Sequence, residues 1–234
     1  MNERSWERLG AASGLVAAVL LLAAFVTAPS PPGLDASAAT IIGYLGDHRV
    51  GMLTASLLVT LAAVAFLWFV AHLRHVLQRA EGGAEAFSPV VLVSGVSLAT
   101  VCALGMVPLT ALATLIARPV GLGESEAVRV LYGMHQLSLG PVGLLVALFA
   151  VSTGAAMVRR ELAGPWLGWL GMIVAVIGLV AGVSSFFAAL SGTAMFLAYA
   201  MGIAFALWLA AASVVMLLRP EVERVTTARG VFAR

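Results

Sequence analysis

The sequence predicts an all-α bundle of six membrane-crossing helices, and three observations predict it. Hydrophobic residues make up 62% of the 234-residue chain and its mean hydropathy is +1.05, outside the range of ordinary soluble domains. Charged residues are only 10%, and they collect at the ends of apolar runs. Six of those runs, Leu9–Ala28, Gly51–Leu73, Pro89–Ala117, Val128–Val158, Trp166–Leu190 and Ala194–Leu218, reach the length of about 20 residues that a helix needs to cross a bilayer. Residues 1–234 thus form one transmembrane domain, with 219–234 as a short tail of mixed charge.

The first run follows Arg4 and Arg8 as a signal peptide would, but it continues to Ala28 without a convincing small-residue cleavage site and is read as a retained span. Between it and the second run lies Ser30–Gly51, the one long segment that is neither span nor short turn. Pro31, Pro32 and Gly33 end any continuing helix, and Asp35 stands where its carboxylate would cap a new one. Ala38, Ile41, Ile42 and Leu45 repeat at the spacing of one apolar face, so a short amphipathic helix is expected to lie on the membrane surface. It runs into Asp47, His48 and Arg49, where Asp47 and Arg49 are expected to form an interfacial ion pair. The remaining connections are Arg74–Ser88, Arg118–Ala127, Arg159–Pro165 and Ser191–Thr193. Pro108 and Pro141 each remove an amide donor inside a span, and both spans are expected to kink.

Arginine counts orient the bundle. Ten (Arg4, Arg8, Arg74, Arg79, Arg159, Arg160, Arg219, Arg224, Arg229, Arg234) fall on one side and three (Arg49, Arg118, Arg129) on the other, which places both termini in the cytoplasm. Small residues spaced four apart, as in Gly10/Gly14, Gly178/Gly182 and Ala198/Gly202/Ala206/Ala210, predict closely packed helices. The five tryptophans, Trp6, Trp68, Trp166, Trp169 and Trp208, fall mostly toward cytoplasmic ends, at the depth of the headgroups.

Candidate chemistry centres on the fourth span. Ser125, Arg129, Tyr132, His135 and Gln136 share roughly one helix face, a polar stripe entering about 14–16 Å from the outer surface. With Thr110, Thr114, Ser184, Ser185, Ser191, Thr193 and Tyr199 they would line an outward-opening cavity, its rim at Asp47, His48 and Arg49. The competing expectation is that Tyr132, His135 and Gln136 only bond helix to helix. His72 and His75 are placed to face one metal ion with Glu81 or Glu85, but a headgroup-facing basic cluster is the favoured reading and no metal or other cofactor is assigned. Cys102 is alone in the chain, which excludes an intrachain disulfide.

Thirteen arginines, without a lysine and without clustering into a stripe, speak against a nucleic-acid partner, and the missing lysine excludes a retinal Schiff base. No carboxylate lies deep in a span, and phosphate-loop, HExxH, GxSxG and paired-aspartate motifs are absent, so energy-driven transport is not expected.

The pattern Asp35-Ala36-Ser37-Ala38-Ala39, Tyr44-Leu45 and Asp47-His48-Arg49, with Gly164-Pro165-Trp166-Leu167-Gly168-Trp169-Leu170 entering the fifth span, resembles an uncharacterised family of bacterial six-span integral membrane proteins classed as a domain of unknown function. The resemblance implies the six-span fold and the membrane location, and brings no catalytic residues with it. Three functions are therefore carried forward. The first is binding or passage of a small amphipathic molecule or lipid. The second is an enzyme acting on a lipophilic substrate, with His135 as acid/base oriented by Asp47 or Glu126. The third is an accessory subunit bound to another membrane protein or to a second copy of itself.

Overall fold

The structure is a computed structural model describing residues 3–27, 31–81, 86–116, 126–159, 164–187 and 192–218. Among these residues there are nine helices: α1 (Glu3–Thr27), α2 (Ala38–Asp47), α3 (Arg49–Glu81), α4 (Ser88–Gly105), α5 (Val107–Leu115), α6 (Glu126–Leu137), α7 (Leu139–Arg159), α8 (Pro165–Phe187) and α9 (Gly192–Leu218). Six helical segments, with α4–α5 and α6–α7 each counted as one, are long and apolar enough to cross a membrane. The fold is all-α and polytopic.

The helices outrun the apolar stretches that announce them. α1 begins six residues before Leu9, and α3 stays helical through Arg74–Glu81, a segment expected to be a connection. Hydropathy marks only what lipid contacts, whereas helical hydrogen bonding continues through polar flanks: at about 1.5 Å per residue, α3 is longer than the hydrocarbon core. Both expected kinks occur. One span breaks at Met106, just before Pro108, and the other at Ser138, three residues before Pro141.

Consecutive spans pack side by side, α1 on α3, α3 on α4, α4 on α7, α7 on α8 and α8 on α9, and α9 returns to α1. The six segments therefore close into a ring. Its tightest seam joins α7 to α8, where glycine faces backbone. A methyl group on Gly143 would stand 2.6 Å from the Gly182 nitrogen, and one on Gly154 would stand 2.6 Å from the Gly168 carbonyl oxygen. Of the spacings expected to bring helices together, Gly178/Gly182 belongs to this seam, Gly14 meets Ser213 and Phe69, and Gly202 meets Phe25. Gly164, at φ +94°, turns the chain into α8.

Inside the ring sits an aromatic cluster. Phe66 meets Phe149 edge-on at 5.1 Å and Phe205 at 5.8 Å, while Trp208 packs 6.3 Å from Phe149. Trp208 corrects the headgroup expectation: it is 4% exposed and its indole donates to the Leu167 carbonyl at 3.0 Å. A donor on so large a ring is satisfied in the core when a neighbouring helix offers a carbonyl. Trp6, Trp68, Trp166 and Trp169 are exposed, and Trp6 and Trp68 stack at 6.1 Å.

α2 begins two residues later than Asp35 suggests. Ser37 is the N-cap, its Oγ accepting from the Thr40 amide at 3.1 Å, because the Gly33–Ala36 turn occupies Asp35. The apolar face is as expected, but it does not lie on lipid. Ala38, Ile41 and Leu45 are buried against Met52, Leu109, Leu112, Val128 and Tyr132, so α2 closes one end of the bundle.

Candidate functional site

Between the α2 end and the aromatic cluster the ring holds a partly open cavity of about 200 Å³. Five of the six spans line it, α8 being the exception. α3 contributes a run of small side chains, Ala55, Ala62 and Ala63, and Phe66 and Phe205 from the aromatic cluster form its floor. Both helix breaks, Met106 and Ser138, also line it. The breaks touch: a methyl group on Gly105 would lie 2.6 Å from Ser138 Oγ.

Polar groups enter at these breaks. Ending α4 at Gly105 leaves that residue's carbonyl to a side chain, and His135 Nδ1 takes it at 2.8 Å. Since a carbonyl only accepts, Nδ1 carries the proton. Ser138 Oγ donates to the His135 carbonyl at 2.6 Å, closing the second break. One turn nearer α2, the Tyr132 hydroxyl donates to the Pro32 carbonyl at 2.7 Å and accepts from Gln136 Nε2 at 3.0 Å. This fastens the Pro31–Gly33 segment to α6 beside the cavity, which Pro31 helps to line. Tyr132, His135 and Gln136 all line the cavity, with Cys102 and Tyr199 as further polar neighbours. At the α2 end itself, burial pushes the Tyr44 hydroxyl well above the ordinary tyrosine pKa, with Tyr199 and Tyr132 adding to it, so the phenol stays neutral.

Several expected site residues stand elsewhere. Arg129 is exposed and pairs with Glu126 at 3.6 Å rather than joining the stripe. The buried row of α6 runs through Val128, Tyr132 and Gln136, and Arg129 lies about 100° around the helix from Val128. Asp47 is exposed, and no ion pair links it to Arg49 among the described residues. Instead Arg49 Nε donates to the Ala113 carbonyl at 2.8 Å, tying α3 to the last turn of α5. A fixed guanidinium donor satisfies a carbonyl in the last turn of a helix, where intrahelical donors run out. His48 caps α2, its Nδ1 3.0 Å from the Tyr44 carbonyl and its ring against Tyr44 at 4.9 Å. None of these three residues lines the cavity.

The hydroxyls are also redistributed. Thr110, Thr114, Ser184 and Ser185 bond carbonyls of their own helices and lie outside the lining, and Thr193 is outside it too. Ser125 and Ser191 lie outside the described residues. What sequence reading missed is the apolar wall, above all the alanine face of α3, whose Ala55/Val59/Ala62/Phe66 spacing was visible as a periodicity.

At the opposite end of the bundle His72 packs over Gly10, and Glu7 pairs with Arg79 at 3.5 Å. No third His, Cys, Asp or Glu joins His72 and His75 in a metal-sized group among the described residues. Glu81 is committed elsewhere, its carboxylate accepting from the Phe87 amide at 2.7 Å at the entrance to α4, and Glu85 lies outside the described residues.

The fold and site define a polytopic helical membrane protein with an apolar cavity inside its ring. No family model, no curated protein and no solved structure matches the chain, and the site is read from its own residues.

Proposed function

We propose that the protein holds one small lipophilic or amphipathic molecule in this cavity, taken from the outer leaflet of a bacterial cytoplasmic membrane. The arginine bias puts both termini in the cytoplasm and hence the α2 end outside. The observation that carries the reading is the coincidence of this cavity with the polar groups of the fourth span, Tyr132, His135 and Gln136. Interhelical bonding alone accounts for the hydrogen bonds but not for the space beside them. A dry apolar cavity of about 150 Å³ is already sufficient to bind benzene. Because Phe66, Phe149 and Phe205 pack together beneath it, the arrangement favours binding over passage.

Acid/base catalysis by His135 has weaker support. The group that orients the imidazole is the Gly105 carbonyl, while Asp47 is exposed and Glu126 is paired with Arg129. The test is native mass spectrometry of the protein released gently from detergent, beside Ala62→Phe, which fills the cavity, and His135→Ala. A defined non-protein mass on the wild type that is lost from Ala62→Phe is the expected result. Bare protein, or the same heterogeneous lipid adducts on all three forms, would favour the accessory-subunit reading.

A further inference from the structure

Hydrogen-bond direction at the cavity wall narrows the ligand, given the binding reading above. The Pro32 carbonyl can only accept, so the Tyr132 hydroxyl spends its single proton there. Its oxygen can then only accept from Gln136, which turns the amide nitrogen toward Tyr132 and leaves Oε1 as the free end of the side chain. Likewise the Gly105 carbonyl fixes the proton of the neutral His135 ring on Nδ1, leaving Nε2 as a lone-pair acceptor. Two successive residues of α6 thus carry acceptors with no protein partner among the described residues, and both residues line the cavity.

We infer that the cavity selects a neutral lipophilic molecule carrying a hydroxyl donor, an alcohol or a phenol, whose O–H is received by His135 Nε2 or Gln136 Oε1 while its carbon body rests on Ala55, Ala62, Ala63 and Phe66. An alcohol or phenol can in addition accept from the second Gln136 Nε2 hydrogen or from the Tyr199 hydroxyl, whereas a ketone or ether can use only those donors and leaves both acceptors unpaired, and a carboxylate adds a charge. A protonated amine has the donor, but it brings an uncompensated charge into an apolar space.

The probes that test this are 4-propylphenol, 4-propyltoluene, in which a methyl group of similar size replaces the hydroxyl, and the methyl ether 4-propylanisole. Binding of each is titrated into the full chain in nanodiscs, against Ala62→Phe nanodiscs as the correction for lipid partitioning. The phenol is expected to bind at least about tenfold tighter than the toluene and the ether. In Gln136→Met and in His135→Phe that preference should shrink, with toluene binding retained. The two variants remove different acceptors, so misfolding of one leaves the other informative. Equal binding of phenol and toluene to wild type overturns the selection of a donor and leaves the cavity reading intact. No saturable binding above the Ala62→Phe background, by any probe, overturns both.

Discussion

The α7–α8 seam and the α3 wall of the cavity are both built from small residues, glycines in one and alanines in the other, yet the first has no room for a methyl group and the second borders a space of about 200 Å³. In the seam, glycine faces glycine backbone along two unbroken helices. Around the cavity, the alanines of α3 share the lining with the two places where helices are interrupted, Met106 and Ser138. Small side chains therefore close a bundle only where the opposing backbone is regular enough to come to them. Where the helices are interrupted ahead of a proline, small side chains border a hole, and the Gly105 carbonyl at one break takes a histidine as its partner.

Breaking the packed region should have the largest effect. Phe149→Ala opens a void beneath the cavity and should cost about 3 kcal/mol, the lower end for such truncations because lipid tails are as apolar as the core it leaves. Thermal unfolding in detergent reads it. Gly143→Ala should cost about 1–3 kcal/mol, since the new methyl meets the backbone of Gly178 and Gly182 rather than a side chain able to turn away. Ala62→Phe, a far larger addition made on the cavity side, should cost less than Gly143→Ala, and an equal or greater loss would show that the space is not open to side chains. Tyr132→Phe removes the bond to Pro32 and should cost about 1 kcal/mol, with faster amide exchange at Gly33–Ser37 as its signature. Smallest and opposite in sign is Gly43→Ala on the exposed side of α2, where nothing lies within 4 Å of the added methyl, so stability should rise by about 0.5–1 kcal/mol.

The contrast also marks what could be read from the chain. Apolar length was enough for six spans, and Pro108 and Pro141 were enough for both breaks. The face Ala38/Ile41/Leu45 was legible, but a periodicity does not say whether lipid or protein covers it, and here α6 and its neighbours do. Arg129 joined the stripe on a helical wheel because a wheel ignores depth. At the first turn of α6 a long side chain reaches Glu126 more cheaply than it enters an apolar interior. The carbonyl partners of His135, Tyr132 and Arg49 lie 30, 100 and 64 residues away and belong to the backbone, which leaves no mark in a sequence.

The most direct measurement uses the chain's single cysteine. Cys102 lines the cavity, so its rate of alkylation by a small lipophilic maleimide in native membranes reports access to that space. The account predicts modification of the wild type, slowed at least about tenfold in Ala62→Phe and by saturating 4-propylphenol. Equal rates in the open and filled forms would contradict it.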